Sequence, residues 1–312
     1  MKFFDQMVNE KIIQCKNLRK SFKETVALDE ITFDVYKGEL FGLVGPDGAG
    51  KTTLLKILCG VENKDEGELL IFGLNSDLQR KEINRRIGYL SQKFSLYGDL
   101  TVDENIEFFA RIHGVKNFHK RRDELLEFTR LTNFRKRLVD HLSGGMKQKT
   151  ALACALIHSP EILILDEPTN GVDPVSRRDF WTILAELLKQ GITIVISTPY
   201  LDETERCNRI AMVNKGKIIA LDYPAEFKKI ITKRIFEIIC SPVRKSFRLI
   251  QNAFPEIEVQ MFGDKINIIS EDDAEKFTAF LKTNDVDVID VKQKIPSIEN
   301  VFIHLLREER LI

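Results

Sequence analysis

Gly45-Pro46-Asp47-Gly48-Ala49-Gly50-Lys51-Thr52 sets three glycines, a lysine and a hydroxyl at the spacing G-x-x-x-x-G-K-[ST]. Glycine has no Cβ, so successive backbone N–H groups can curl around an anion, and a helix beginning there adds the positive end of its dipole. Lys51 is suited to neutralising the outer oxygens of a polyphosphate, and Thr52 to offering its hydroxyl to Mg²⁺. Asp47 is an oddity: it can cap the coming helix or set negative charge near the phosphate. A second stretch, Leu142-Ser143-Gly144-Gly145-Met146-Lys147-Gln148, opens a segment whose apolar spacing from Met146 to His158 is helical, which offers another helix N-terminus to an anion.

Glu161-Ile162-Leu163-Ile164-Leu165-Asp166-Glu167-Pro168 is an apolar run that ends in two acids. It reads as a buried strand delivering both carboxylates at its C-terminal edge, where α/β sheets build their sites. Asp166 would hold Mg²⁺ through water. Glu167 would orient and deprotonate an attacking water, because phosphoryl transfer needs mainly positioning and charge compensation.

These groups require elements to carry them. Leu40 to Val44 reads as a strand before the glycine-rich loop and Thr53 to Cys59 as a helix after it, with Gly60 a fitting C′ residue. Ile12 to Tyr36 is an N-terminal strand region, and Ile87 to Leu90 and Ile192 to Ile196 are further apolar strands. From Thr101 to about Leu138 the pattern turns helical, opening on the capping box Thr101-Val102-Asp103-Glu104. Beyond Ile230 the character changes. A strand at 235–239, a helix from Ser241-Pro242 to Phe254, a hairpin around Gly263-Asp264, a helix from Asp272 to Leu281 and a strand from Val286 to Val291 give the order β-α-β-β-α-β. That order predicts a small ferredoxin-like α+β domain, followed by an amphipathic helix from Ser297 to about Arg307.

From about Ile12 to Phe227 the chain resembles the ATP-binding cassette (ABC) superfamily. Gly45 to Thr52 and Ile162 to Glu167 look like its Walker A and Walker B motifs, Leu142 to Gln148 its signature, Gln92 its Q-loop glutamine and Gly171-Val172-Asp173-Pro174 its D-loop. The resemblance implies an α/β fold, a P-loop NTPase cassette with a RecA-like core and a helical subdomain, over residues 10–230. The helical subdomain would span about 93–158, with an accessory dimerisation or regulatory domain over 231–312. It implies ATP and Mg²⁺ as ligands. Glu167, Lys51 and Gln92 would be catalytic; Thr52, Gln92 and Asp166 would serve the metal. Phe22 would stack on adenine, and the nucleotide would be bound by Gly45, Pro46, Asp47, Gly48, Ala49, Gly50, Lys51, Thr52 and Thr53, with Ser143, Gly144, Gly145 and Asp173 contributed across a head-to-tail dimer.

The same resemblance implies a second copy of the chain in an ATP-dependent dimer, and a separate integral membrane permease against the helical insert. The stretch Phe94-Ser95-Leu96-Tyr97-Gly98-Asp99-Leu100 either lines the groove for that partner or belongs to the subdomain core. The tail, with Pro296 to Phe302 as its closing motif, is similar to that of subunits serving ABC-2-type exporters of the daunorubicin-resistance group. The chain would then lie on the cytoplasmic face of the plasma (inner) membrane. One position departs from the family: Pro199 stands where a histidine usually reaches the γ-phosphate. Either Glu167 suffices, or Thr198 or a water substitutes, or hydrolysis is slow and another subunit supplies it; the intact acid favours the first.

The 312 residues suffice for a cassette and a small domain. The 47 basic and 47 acidic residues cancel, which gives no overall field for nucleic acid and predicts none as partner. Soluble ABC ATPases that act on nucleic acid would bring zinc-spaced cysteine pairs or long coiled-coil insertions, and neither is visible. The five cysteines contain no C-x-x-C and read as reduced core residues. No apolar stretch is long enough to span a bilayer, and no signal peptide is visible.

Overall fold

Burial alternates along the first two strands but is continuous along the central ones, so the sequence builds two kinds of sheet. A computed structural model describes residues 10–92 and 96–309. The order begins β1 (Lys11–Phe22), β2 (Thr25–Tyr36), β3 (Leu40–Val44), α1 (Lys51–Leu58), β4 (Glu66–Ile71), β5 (Leu74–Asn75), α2 (Arg80–Asn84) and β6 (Ile87–Leu90). It continues with α3 (Val102–Ile112), α4 (His119–Phe128), α5 (Gly144–Leu156), β7 (Ile162–Asp166), α6 (Pro174–Lys189), β8 (Thr193–Thr198), β9 (Arg209–Asn214) and β10 (Lys217–Asp222).

In the first unit the larger sheet has the order β10-β9-β3-β8-β7-β6. Its strands from β9 to β6 are parallel and its central strands are buried on both faces, which is why residues 40–44, 162–165 and 194–196 read as apolar runs. Their C-terminal ends carry the glycine-rich loop, Asp166 and Thr198 side by side. A smaller antiparallel sheet, β2-β1-β4-β5, shares a core with α1, in which Leu54, Leu55 and Leu58 meet Ile13, Leu18 and the stacked rings of Phe33 and Phe41. The helical stretch begins on the anticipated capping box: the Thr101 N–H donates to Glu104 at 2.8 Å and the Glu104 N–H donates to the Thr101 hydroxyl at 3.2 Å. It then breaks into α3, α4 and 3₁₀ turns, because α3 and α4 both pack on α5. All five cysteines are buried thiols; burial pushes those of Cys15 and Cys207 up to about 12.

The chain divides between Leu221 and Asp222, ahead of the boundary at 230 read from composition. The reason is α7 (Pro224–Phe227), which packs within the second unit and buries Phe227. There follow β11 (Arg234–Ser241), α8 (Val243–Ala253), β12 (Glu258–Phe262), β13 (Lys265–Ser270), α9 (Ala274–Thr283), β14 (Asp287–Lys294) and α10 (Ile298–Glu309). The sheet order β12-β13-β11-β14 is antiparallel throughout, the ferredoxin-like arrangement that the element order implies. Alternation puts Ile238, Cys240, Ile266 and Ile268 in one core with Ile250, Phe277 and Leu281 of α8 and α9. The opposite row, Gln260, Asn267 and Glu237, is polar yet buried, and Asn300 of α10 hydrogen-bonds Gln260 there.

Glu237 in that row receives three lysines, with Lys265 at 2.8 Å and Lys292 and Lys294 each at 3.2 Å. Burial pushes its carboxyl up, but the three ammonium groups outweigh this and hold it at about 2. A carboxyl lowered in the folded state stabilises above its unfolded pKa and loses that contribution as pH falls toward the folded value. Scanning calorimetry of the full chain is therefore expected to show the second unit losing stability from about pH 4.5 downward, by roughly 2 kcal/mol once screening of the exposed lysines is allowed for. Glu237→Ala should remove most of that dependence and lower the transition at neutral pH; a pH response equal to that of the native chain would contradict it.

Candidate active site

Two of the loop's glycines are fixed by contact rather than by habit. A Cβ on Gly45 would lie 2.1 Å from the Val213 carbonyl oxygen, and one on Gly50, at φ +104°, would lie 2.5 Å from that of Ala27. Gly48 also has positive φ, but nothing lies within 4 Å of its Cβ direction. Gly50 is the N-cap of α1; no side chain caps it and the first turn, which contains Lys51, Thr52 and Thr53, holds no acid. The positive end of the helix dipole is thus left for an anion. Asp47 and Pro46 are exposed and Asp47 does not cap the helix, whereas Ala49 is buried, its N–H bonded to the Pro46 carbonyl at 3.2 Å.

Lys51 is folded onto this loop. Its ammonium donates to the carbonyls of Gly45 at 2.7 Å and Pro46 at 3.0 Å and lies 3.7 Å from the Glu167 carboxylate, with the side chain only 3% exposed. The neighbouring Thr52 hydroxyl donates to Asp166 Oδ1 at 3.1 Å, and the Ser197 hydroxyl donates to the same oxygen at 2.7 Å. Asp166 Oδ2 is buried with no hydrogen-bond partner. A buried carboxylate oxygen without a partner is costly, and here the same carboxylate already carries the Thr52 and Ser197 hydroxyls, oxygen donors of the kind a hard cation such as Mg²⁺ takes. Burial, and secondarily the Asp166 charge, pushes the nearby Tyr89 phenol and Cys59 thiol well up.

Glu167 occupies the left-handed region at φ +49°, a conformation that a non-glycine residue keeps only when its surroundings impose it. Its N–H donates to Ser197 Oγ at 2.9 Å. Its Oε2 accepts from Gln92 Nε2 at 2.8 Å and from Asn170 Nδ2 at 3.1 Å. Lys51, Thr52, Gln92, Asp166 and Glu167 are therefore brought into one cluster by β3, β6 and β7.

The signature residues belong to a separate helix, whose start lies beside the Gly171-Val172 part of the loop that follows Glu167. Ser143 caps α5 by accepting the Met146 N–H at 3.3 Å, and Gly144 and Gly145 form its first turn. A Cβ on Gly145 would fall 2.4 Å from the Ser176 side chain, so the glycine is dictated by the approach of α6. Asp173 caps α6 through the N–H groups of Val175 and Ser176 at 3.1 and 3.0 Å. Phe22 ends β1, is 46% exposed, and has Lys20 Nζ 5.0 Å from its ring centroid; past the turn, Ala27 and Leu28 of the paired strand touch Gly50.

Sequence reasoning assigned no role to Ser197, Asn170 or Glu203. Ser197 had a partial signal, a hydroxyl at the end of an apolar strand, but only the fold sets that strand beside the acid-bearing one; Asn170 and Glu203 had none. Thr198, considered as a stand-in for the missing histidine, is otherwise engaged: its hydroxyl donates to Glu203 at 2.8 Å and accepts the Tyr200 N–H at 3.0 Å. Leu96 lines a mainly apolar groove of about 210 Å³ with Leu90, Phe109 and Ala155, while Tyr97 packs edge-on against Phe108. Phe94 and Ser95 lie outside the described residues.

Residues 28–170 match the sequence profile of the ABC transporter family. The Nod factor export ATP-binding protein I of Burkholderia thailandensis is 40% identical over 215 residues, covering 68% of this chain and 71% of that protein. This chain belongs to the ABC transporter ATP-binding family. Other ABC relatives include the probable multidrug ABC transporter ATP-binding protein YbhF of Escherichia coli, 40% identical over 221 residues; the match spans 70% of this chain and 38% of YbhF. The linearmycin resistance ATP-binding protein LnrL of Bacillus subtilis is 29% identical over 304 residues, 94% of this chain and 98% of that protein. Among solved ABC cassettes, a dimeric post-hydrolysis structure bound to ADP and Pi superposes with a TM-score of 0.63 at 29% identity, over 68% of this chain and 98% of the other.

Proposed function

We propose that the chain is the ATP-hydrolysing subunit of an ABC-2-type exporter and drives a separate membrane permease from the cytoplasmic face of the membrane. The observation that carries this reading is the convergence of Lys51, Thr52, Asp166 and Glu167, with a buried oxygen lacking a partner on the Asp166 carboxylate that accepts the Thr52 hydroxyl. In this reading Gly45 to Thr53 bind the triphosphate through backbone N–H groups and the start of α1, and Lys51 leaves the Gly45 and Pro46 carbonyls to meet phosphate oxygens. Thr52, Asp166 and Gln92 hold Mg²⁺, which supplies charge neutralisation at the phosphates when bound. Glu167 orients the attacking water and takes its proton, and Phe22 stacks on adenine.

Ser143, Gly144, Gly145 and Asp173 act on the nucleotide of a second copy. Within one chain Gly145 faces α6 and Ser143 begins a different helix from the one at the P-loop, which supports a site completed by dimerisation. The names of the relatives, a multidrug transporter subunit, a linearmycin resistance protein and Nod factor export proteins, support export. Among the described residues no helix is long and apolar enough to cross a membrane; in this reading the pore belongs to another polypeptide. The groove at Leu96 is its docking place, and residues 222–312 serve dimerisation or regulation.

Phosphate release measured against protein concentration tests this. Turnover per chain should rise with concentration as dimers form, and Ser143→Arg, which crowds the signature helix start, should lower it by about 100-fold while each chain still binds nucleotide. A rate independent of concentration from a monomer would contradict the shared site. Pro199 carries a second reading, a weakly hydrolysing regulatory cassette, for which the native rate would not exceed that of Glu167→Gln.

A further inference from the structure

Glu203 lies in the 3₁₀ turn after β8, with its carboxylate buried at 2% exposure. One oxygen accepts the hydroxyls of Thr169 at 3.0 Å and Thr198 at 2.8 Å. The other accepts Trp181 Nε1 at 3.2 Å, with the Arg177 guanidinium at 3.6 Å. These partners come from three segments: the loop leaving β7, the end of β8, and α6. We propose that Glu203 is a positioning residue for hydrolysis, clamping the two loops that fix the Glu167 carboxylate; the inference rests on the ATPase reading above.

The geometry supports it at both ends. Thr169 follows Glu167 by two residues, in the loop whose next member, Asn170, hydrogen-bonds the Glu167 carboxylate. Thr198 follows Ser197, whose hydroxyl holds both Asp166 Oδ1 and the Glu167 N–H. A single carboxylate thus ties together the two sides that hold Glu167 at its positive φ, and such a conformation persists only where the surroundings over-determine it. The clamp also engages Thr198 directly before Pro199, where the loop has no backbone N–H to give. Glu203 touches none of the reacting groups, so its effect must appear in the rate and not in nucleotide affinity.

Glu203→Gln in the full chain keeps the shape but weakens the charge-assisted bonds. Its kcat is expected to fall about 10- to 100-fold, since small misplacement of a reacting group has effects of that size. Mg-ATP affinity should stay within about twofold, because only transition-state geometry is disturbed. Thr169→Val should lower kcat in the same way, and the double variant should lose no more than the worse single one, since both remove one linkage. Three results would overturn the proposal: an undiminished kcat in Glu203→Gln, losses that multiply in the double variant, or a fall in affinity and melting temperature that accounts for the lost rate. An absence of Glu167-dependent turnover in the native chain would instead bring down the ATPase reading, and this inference with it.

Discussion

Glu167→Gln is expected to lower steady-state ATP turnover by about 10²- to 10⁴-fold, the range over which a positioned general base accelerates proton transfer. The substitution keeps the side chain's length and an oxygen able to accept the Gln92 and Asn170 amides that now hold it at 2.8 and 3.1 Å. It removes the charge that would take a proton from water. Nucleotide binding should survive, since Lys51, Thr52 and the loop are untouched, and the ammonium loses only a carboxylate 3.7 Å away. The expected product is a chain that binds Mg-ATP and stays dimeric because it does not turn it over. Light scattering with Mg-ATP and with Mg-ADP checks this: a mass near twice the monomer only with ATP agrees, whereas native-like turnover by Glu167→Gln would remove the acid from its role.

Lys51→Ala should act one step earlier, on binding. The Lys51 ammonium is buried and held by two carbonyls and a carboxylate, so it is placed to swing onto phosphate oxygens with little solvent to displace. A hydrogen bond to a charged group contributes roughly 1.5–3 kcal/mol, so Mg-ATP affinity should fall by about 10- to 150-fold. Ligand that binds only the folded state raises its stability by mass action, about 2.7 kcal/mol at a hundredfold excess over Kd. The native chain should therefore melt several degrees higher with millimolar Mg-ATP than without, by the usual size scaling. Lys51→Ala should lose most of that increment while its melting temperature without nucleotide changes much less. An undiminished increment would place the phosphates elsewhere.

The local elements that carry the candidate site were legible in the residues because they depend on local spacing. A loop that wraps an anion with backbone N–H groups needs glycine, lysine and a hydroxyl within eight positions, and a strand that delivers two acids needs an apolar run that ends in them. The capping box at Thr101 and the β-α-β-β-α-β order after 230 were legible for the same reason, since caps, hairpin turns and periodicity act over a few residues. The tertiary structure alone decided what converges from far apart. Ser197 reaches Asp166 because β7 and β8 are neighbours in register, Asp166 opposite Ser197, a pairing no local pattern encodes. Glu203 joins Thr169, Thr198 and Trp181 from three segments, and Glu237 collects three lysines from adjacent strands. Local sequence fixes which groups a segment can offer, through backbone sterics and periodicity; which groups meet, and how far each is removed from water, follows from long-range packing.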